Sequence, residues 1–174
     1  MNCKYNHLIF FYNFVCQIIR IMNAQTKDPS AMDRFKSVLK RHKLKATPQR
    51  LAVHEAMLEL GHASADQVCR WISAKGGTRV TVSSVYNILT QMTLLGVYVH
   101  RFSANNKMFF DVNTFQHIHL YDTVNNEFKD IMDDELLKTV ESRVKSKRYR
   151  GYKVDGVDIQ IICHPPTRRN TLTK

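Results

Sequence analysis

Residues 109–122 read "FFDVNTFQHIHLYD", and where this stretch divides decides the fold. "KMFFDV" closes one alternating run, and "HIHLYDTV" opens another, so two strands meet across a short connection. Asp111 sits six residues before His117, and His119 follows two further on. Two readings of that grouping stand: polar residues facing water from an ordinary strand, or a metal site.

Upstream, "VYVHRF" and "KMFFDV" flank "SANN", the pattern of a β-hairpin. Three helical periodicities precede it. "PQRLAVHEAMLELG" follows a Thr47-Pro48 start, with Val53, Ala56, Met57 and Leu60 at helical spacing and Gly61 at the end. "SADQVCRWISAKGG" repeats the pattern through Ala65, Val68, Cys69 and Ile72. In "SSVYNILTQMTLLG", Val85, Ile88, Leu89, Met92 and Leu95 share one face, and Ser83, Ser84, Tyr86, Asn87, Thr90 and Gln91 share the other. That second face carries no acid and suits contacts to phosphates and base edges, with Tyr86 able to pack on a thymine methyl. Three helices followed by a hairpin wing predict a winged helix-turn-helix whose third helix enters the major groove of duplex DNA. A plain three-helix bundle with a solvated polar face is the alternative. The lead segment "RFKSVLKRHKLKATPQR" at 34–50 has seven basic residues and no acid, which favours DNA binding and marks Arg50 as a contact.

Downstream, "HIHLYDTV" and "EFKDIM" flank Asn125-Asn126, which predicts a two-residue turn with Tyr121 opposite Asp130. His117, His119 and Tyr121 then share a face, with Asp130 diagonal to His119. "DDELLKTVESRVKS" predicts a helix with Leu136, Leu137, Val140 and Val144 inward and acids in its first turn. "RYRGYKVDGVDIQIIC" predicts a further pair of strands. The expected class is therefore α+β: an N-terminal winged helix-turn-helix followed by a small α/β dimerisation domain.

Composition agrees with this division. The chain has 174 residues, 44% hydrophobic and 24% charged, and a formal net charge of +11. Such a balance points to a polyanion partner held by phosphate neutralisation. The four cysteines, Cys3, Cys16, Cys69 and Cys163, form no C-x-x-C pair, so neither a disulfide framework nor a cysteine zinc knuckle is indicated, and a reducing cytoplasm fits. The apolar run at 8–21 is short for a membrane span and is interrupted by Asn13, Gln17 and Arg20. We expect no membrane association and a translation start at Met22, with an N-terminal tether as the minority reading. His42, His54 and His100 are expected to be surface or packing residues, Trp71 a core residue, and "RVKSKRYRGYK" at 143–153 a solvated basic helix end. The expected divisions are an extension at 1–31, the winged helix at 32–112, a metal-sensing dimerisation domain at 113–166 and a disordered tail at 167–174.

From about Leu44 to Cys163 the chain resembles the ferric uptake regulator family of metal-dependent repressors. The residues that carry the resemblance are "TPQR" at 47–50, "HASADQV" at 62–68, "VSSVYNIL" at 82–89, "LLGV" at 94–97, then "FFDV" and the H-x-H strand. The resemblance implies a homodimeric repressor on a DNA operator, not an enzyme. It also implies one regulatory metal site per chain, and the matching positions are His62, Asp111, His117, His119 and Asp130. Two aspartates at the acid positions are similar to the peroxide-sensing (PerR-like) branch, whereas the iron-uptake branch usually has glutamate. That branch implies Fe(II) or Mn(II), hard enough for a site without thiolate. With Fe(II), peroxide would oxidise a ligand histidine at the positions of His62 or His117, and with Mn(II) it would not. An iron-responsive regulator is the alternative within the family, and a non-haem iron enzyme using His117, His119 and Asp130 is the alternative outside it. A winged-helix DNA binder with a degenerate sensor domain and no metal response is a third reading.

The chain departs from the family pattern at three places. The structural-zinc cysteines are replaced by Asp122 and Asn125 at the first pair, and only Cys163, expected to be a strand-end core cysteine, stands near the second. Structural zinc is therefore expected to be absent. Asn87 stands where the recognition helix usually carries arginine. Gln116 and Ile118 replace ligands of a second metal site present in some members.

Overall fold

The computed structural model describes residues 29–166, so the readings on 1–28 and 167–174 lie outside the described residues. The N-terminal part begins with a helix the sequence reading treated only as a basic lead, α1 (Pro29–Arg41). Phe35 and Leu39, four residues apart, give it one fully apolar contact line, and both are buried. The expected helices follow as α2 (Pro48–Leu60), α3 (Ala65–Lys75) and α4 (Val82–Leu94).

Local chemistry explains the helix boundaries. Thr47 Oγ1 accepts the Arg50 amide at the start of α2, with Pro48 in the first turn. Ser64 with Gln67, and Thr81 with Ser84, form reciprocal capping boxes that open α3 and α4. Gly61 ends α2 at φ 69°, a left-handed conformation that glycine adopts without steric cost. Thr81→Ala removes the cap that sets the first turn of α4, and we expect a loss of about 1 kcal/mol in urea unfolding.

The four helices bury Phe35, Leu39, Val53, Ala56, Met57, Val68, Ile72, Val85, Leu89 and Met92 in one core, closed by Tyr98 and Phe110. Ile88, Leu95 and Trp71 pack at its margin, Trp71 only half-buried beneath the Lys75 ammonium. Among the other histidines, His54 is buried in this core, while His42 and His100 are exposed.

The wing forms as expected from β2 (Val99–Phe102) and β3 (Met108–Asp111). A short β1 (His62–Ala63), expected only as a turn, adds to the other side of β3, pairing His62 with Asp111. β3 has a different environment on each face. Phe110 points into the helical core, and Phe109 points into a second cluster with Tyr121 and Phe128. The wing is thus packed directly onto the second sheet.

That sheet holds β4 (Ile118–Asp122), β5 (Glu127–Ile131) and β6 (Ile159–Cys163) in the order β5-β4-β6. Helix α5 (Asp134–Lys145) carries the chain from β5 to β6, which runs parallel to β4. Three expectations are corrected here. The β4–β5 loop has four residues, so Tyr121 pairs with Phe128, and His119 lies directly opposite Asp130. The cause is Asp122, whose Oδ1 accepts the Val124 and Asn125 amides, while Asn126 takes φ 55°. Second, 148–158 is not a strand, because Asp155, Gly156 and Asp158 supply turn rather than ladder chemistry, and only β6 forms. Third, α5 buries none of its residues. Among the described residues the stripe of Leu136, Leu137, Val140 and Val144 is only partly covered: the last three are half-buried, and Leu136 is 39% exposed. Cys163 ends β6 half-buried rather than in a core.

Candidate functional site

The two sheet registers assemble the cluster. β1–β3 pairing sets His62 beside Asp111, β4–β5 pairing sets His119 beside Asp130, and His117 enters from the residue before β4. His62, Asp111, His117 and His119 are buried, and each offers a donor atom within 4.8 Å of the others. Asp130, the fifth expected residue, has its Oδ1 3.0 Å from His62 Nε2 and 3.2 Å from His117 Nε2. A single oxygen, Asp111 Oδ2, lies 3.0 Å from His62 Nε2 and 3.3 Å from both His117 Nε2 and His119 Nε2.

His119 Nε2 makes a hydrogen bond to Asp111 Oδ2, but for His62 and His117 the alignment does not allow one at these distances. Both ring nitrogens of His62, His117 Nε2 and Asp130 Oδ1 are buried with no hydrogen-bond partner. Buried polar atoms are rarely left in that condition. Atoms that converge on a common point instead of pairing along donor–acceptor lines fit a bound cation, and imidazole with carboxylate suits divalent iron or manganese. The surrounding contacts support it. His117 Nδ1 donates to the Phe115 carbonyl at 2.7 Å, which leaves Nε2 as the ligand nitrogen. Asn113 clamps both acids, its amide donating to Asp111 Oδ1 and its side chain to Asp130 Oδ2.

Electrostatics match this geometry. For His117, burial alone would depress the pKa, but the carboxylates of Asp111 and Asp130 outweigh it and push it up to about 10. His62 is raised by the same balance, and burial of both acids is overridden by their imidazole neighbours, which hold them well below the usual carboxylate range. His119 moves the other way: burial lowers it, and the positive charge of Arg101 adds to the effect despite Asp111.

Arg101 and Asp158 belong to this neighbourhood and were missed from sequence. Arg101 Nη1 lies 2.6 Å from Asp158 Oδ1 and 2.8 Å from His119 Nδ1, and Nη2 lies 3.4 Å from Asp111 Oδ2. The signal was available: in a paired wing, period-two alternation places Arg101, Phe109 and Asp111 on one face.

On α4, the helix expected to enter the major groove, Ser83, Tyr86 and Asn87 are exposed. Three other expected DNA contacts are already engaged within the chain. Ser84 Oγ is used in the cap, and Arg50 bridges the Lys45 carbonyl at 2.7 Å and Gln91 Oε1 at 3.0 Å, holding α2 to α4. Among the described residues no helix is long and apolar enough to cross a membrane.

A winged helix joined to a small sheet domain through a buried His/Asp cluster defines a DNA-binding regulator with a candidate metal centre at the joint. The chain belongs to the ferric uptake regulator family, whose model matches residues 41–162. Members of this family are transcription regulators, so the enzyme reading is set aside. Among solved structures, the Vibrio cholerae ferric uptake regulator matches with a TM-score of 0.64 at 20% identity, covering 74% of this chain and 98% of that one. The Pseudomonas aeruginosa ferric uptake regulator with manganese matches with a TM-score of 0.57 at 23% identity, covering 76% and 98%. The Campylobacter jejuni peroxide stress regulator matches with a TM-score of 0.55 at 25% identity, covering 76% and 96%. A search of curated protein sequences returned no significant match.

Proposed function

We propose that this chain is a dimeric, metal-dependent repressor that senses peroxide through one Fe(II) or Mn(II) site per chain, formed by His62, Asp111, His117, His119 and Asp130. The observation that carries the reading is the set of buried, unpartnered donor atoms between the wing and the second sheet. The two aspartates favour peroxide over iron as the signal, and a peroxide stress regulator stands among the similar structures beside ferric uptake regulators. Fe(II), when bound, supplies the chemistry by which peroxide oxidises an adjacent imidazole. The chain's own residues hold that imidazole in place. His117 is oriented by Phe115, the acids are fixed by Asn113, and the Phe109–Tyr121–Phe128 cluster keeps the joint dry. Because Asp111 ends the wing and Asp130 lies in the second sheet, one ion would tie the two parts together and bias their relative placement.

Two further elements belong to the proposal. The dimer would cover the apolar stripe of α5 and the exposed Ile161 and Ile162 of β6. No structural zinc would be present, since Asp122 and Asn125 are engaged with each other, Asn125 Nδ2 donating to Asp122 Oδ2 at 2.7 Å.

The test is an anaerobic Fe(II)-loaded sample treated with a small excess of peroxide. We expect the intact mass to rise by one oxygen atom, mapped by peptide sequencing to His62 or His117, and no change in the Mn(II)-loaded sample. An unmodified Fe(II) sample would point instead to the iron-responsive alternative. For the DNA face, Asn87→Arg is expected to steepen the slope of log affinity against log salt by about 0.9 per protomer, read by fluorescence anisotropy on a selected duplex. An unchanged slope would move Asn87 away from the phosphates.

A further inference from the structure

The three histidines of the cluster differ in what holds their outer nitrogen. His117 Nδ1 faces an acceptor, the Phe115 carbonyl, so the neutral ring keeps its proton there and has its lone pair on Nε2. His119 Nδ1 faces a donor. Arg101 has only N–H groups to offer, so at 2.8 Å its Nη1 donates and His119 Nδ1 accepts. The His119 proton is thereby placed on Nε2, which points at Asp111 Oδ2. That tautomer is the opposite of the one a metal requires at Nε2. The guanidinium also reaches Asp111 Oδ2, the oxygen around which the three imidazoles gather. Its side chain is 9% exposed, so this is a buried fixed charge, and its remaining partner, Asp158, is 61% exposed and sits just ahead of β6.

Resting on the metal site proposed above, we propose that Arg101 is a resident cation of that site, one that a divalent metal must displace from His119 and Asp111. Arg101 is a positioning residue that opposes the metal. It competes for one carboxylate oxygen, holds one histidine in the non-ligating tautomer and adds like charge to the site. It thereby raises the metal concentration at which the site fills. Displacement also has a place to act. Arg101 lies on β2 of the wing and Asp158 on the approach to β6, where Gln160 donates to the Phe102 carbonyl and accepts the Ala104 amide. Metal entry and the seating of the wing on the second sheet therefore share one side chain.

The experiment is Mn(II) titration of the full chain, following the loss of the free-ion electron paramagnetic resonance signal, for wild type, Arg101→Met and Asp158→Asn. Arg101→Met should bind Mn(II) about tenfold or more tightly, at the lower end of the range for residues that touch ligands. Asp158→Asn should bind more weakly, because the guanidinium loses the partner that draws it away from Asp111. Opposite signs cannot come from general destabilisation. In the metal-free protein, 15N spectra of labelled histidine should show His119 protonated at Nε2 in wild type and shifted toward the other tautomer in Arg101→Met. Unchanged or weaker Mn(II) binding by a folded Arg101→Met overturns the proposal. If that variant does not fold, unchanged or tighter binding by Asp158→Asn overturns it. Absence of Mn(II) binding in every form would overturn the metal site itself, whereas binding that is lost in His117→Ala but indifferent to Arg101 would overturn only this inference.

Discussion

Replacing His117 with alanine is expected to weaken Mn(II) binding by more than about 100-fold, since residues that merely support a ligand already cost 10- to 100-fold. His117 is the best prepared of the cluster: its side chain is 1% exposed, Nδ1 is fixed by the Phe115 carbonyl, and Nε2 lies within 3.3 Å of both acids. Alanine removes the nitrogen and leaves Asp111 and Asp130 facing each other with one fewer imidazole between them. The helical core is remote from this change, so far-ultraviolet circular dichroism should be preserved. His100→Ala, at an exposed position on the wing, is the matched control and should bind as wild type does. Equal affinity for His117→Ala and wild type would place the metal elsewhere.

The second large effect concerns acid stability and a histidine with no part in the metal site. His54 is 6% exposed, stacks on Phe35 with ring centroids 3.9 Å apart, and places Nδ1 2.8 Å from the Tyr98 hydroxyl. Burial lowers its pKa from 6.5 to about 4, against a smaller opposing contribution from a backbone hydrogen bond at Ala31. The folded state therefore binds this proton less readily than the unfolded state. The stability it confers is complete above pH 6.5 and is lost as pH falls from 6.5 to about 4. The shift corresponds to about 3 kcal/mol over that window. In metal-free protein the raised values of His62 and His117 act in the other direction, giving stability that is complete below 6.5 and lost as pH rises toward the folded value of about 10 for His117. A stability maximum near pH 6.5 follows. His119, lowered by burial and by Arg101, adds to the acid side, so the quantity to read is a difference. Urea midpoints of wild type and His54→Phe should converge as pH falls from 6.5 to 4, the variant losing less. Parallel curves would mean that His54 titrates normally in the folded chain.

The helices of the DNA-binding half were legible because their signals are local. Thr47-Pro48, Ser64 with Gln67 and Thr81 with Ser84 each act within one turn, and a core face needs only a period of 3.6 residues. The wing and the two histidines at the start of β4, His117 just before it and His119 within it, were legible for the same reason. α1 escaped notice because its apolar face is only two buried residues wide and shares the helix with four basic ones. The β4–β5 register was misjudged because Asn125-Asn126 is a good two-residue turn in isolation, while the Asp122 carboxylate, binding three groups of the loop, favours four residues. Arg50 and Gln91 looked like free polar contacts because nothing in a single helix reveals a bond spanning 41 residues.

Sequence alone determined the residue types of the cluster, and those types limit it to imidazole and carboxylate chemistry without thiolate. It also determined each strand's alternation, and so which side chains share a face. Only the tertiary structure decided that the faces meet. Asp111 and Asp130 converge because Phe109 packs against Tyr121 and Phe128, and a contact between separate sheets leaves no periodic trace in either strand. Only the tertiary structure, likewise, brought a guanidinium from the wing against His119, since the partners of a buried charge are set by packing and not by neighbours in the chain.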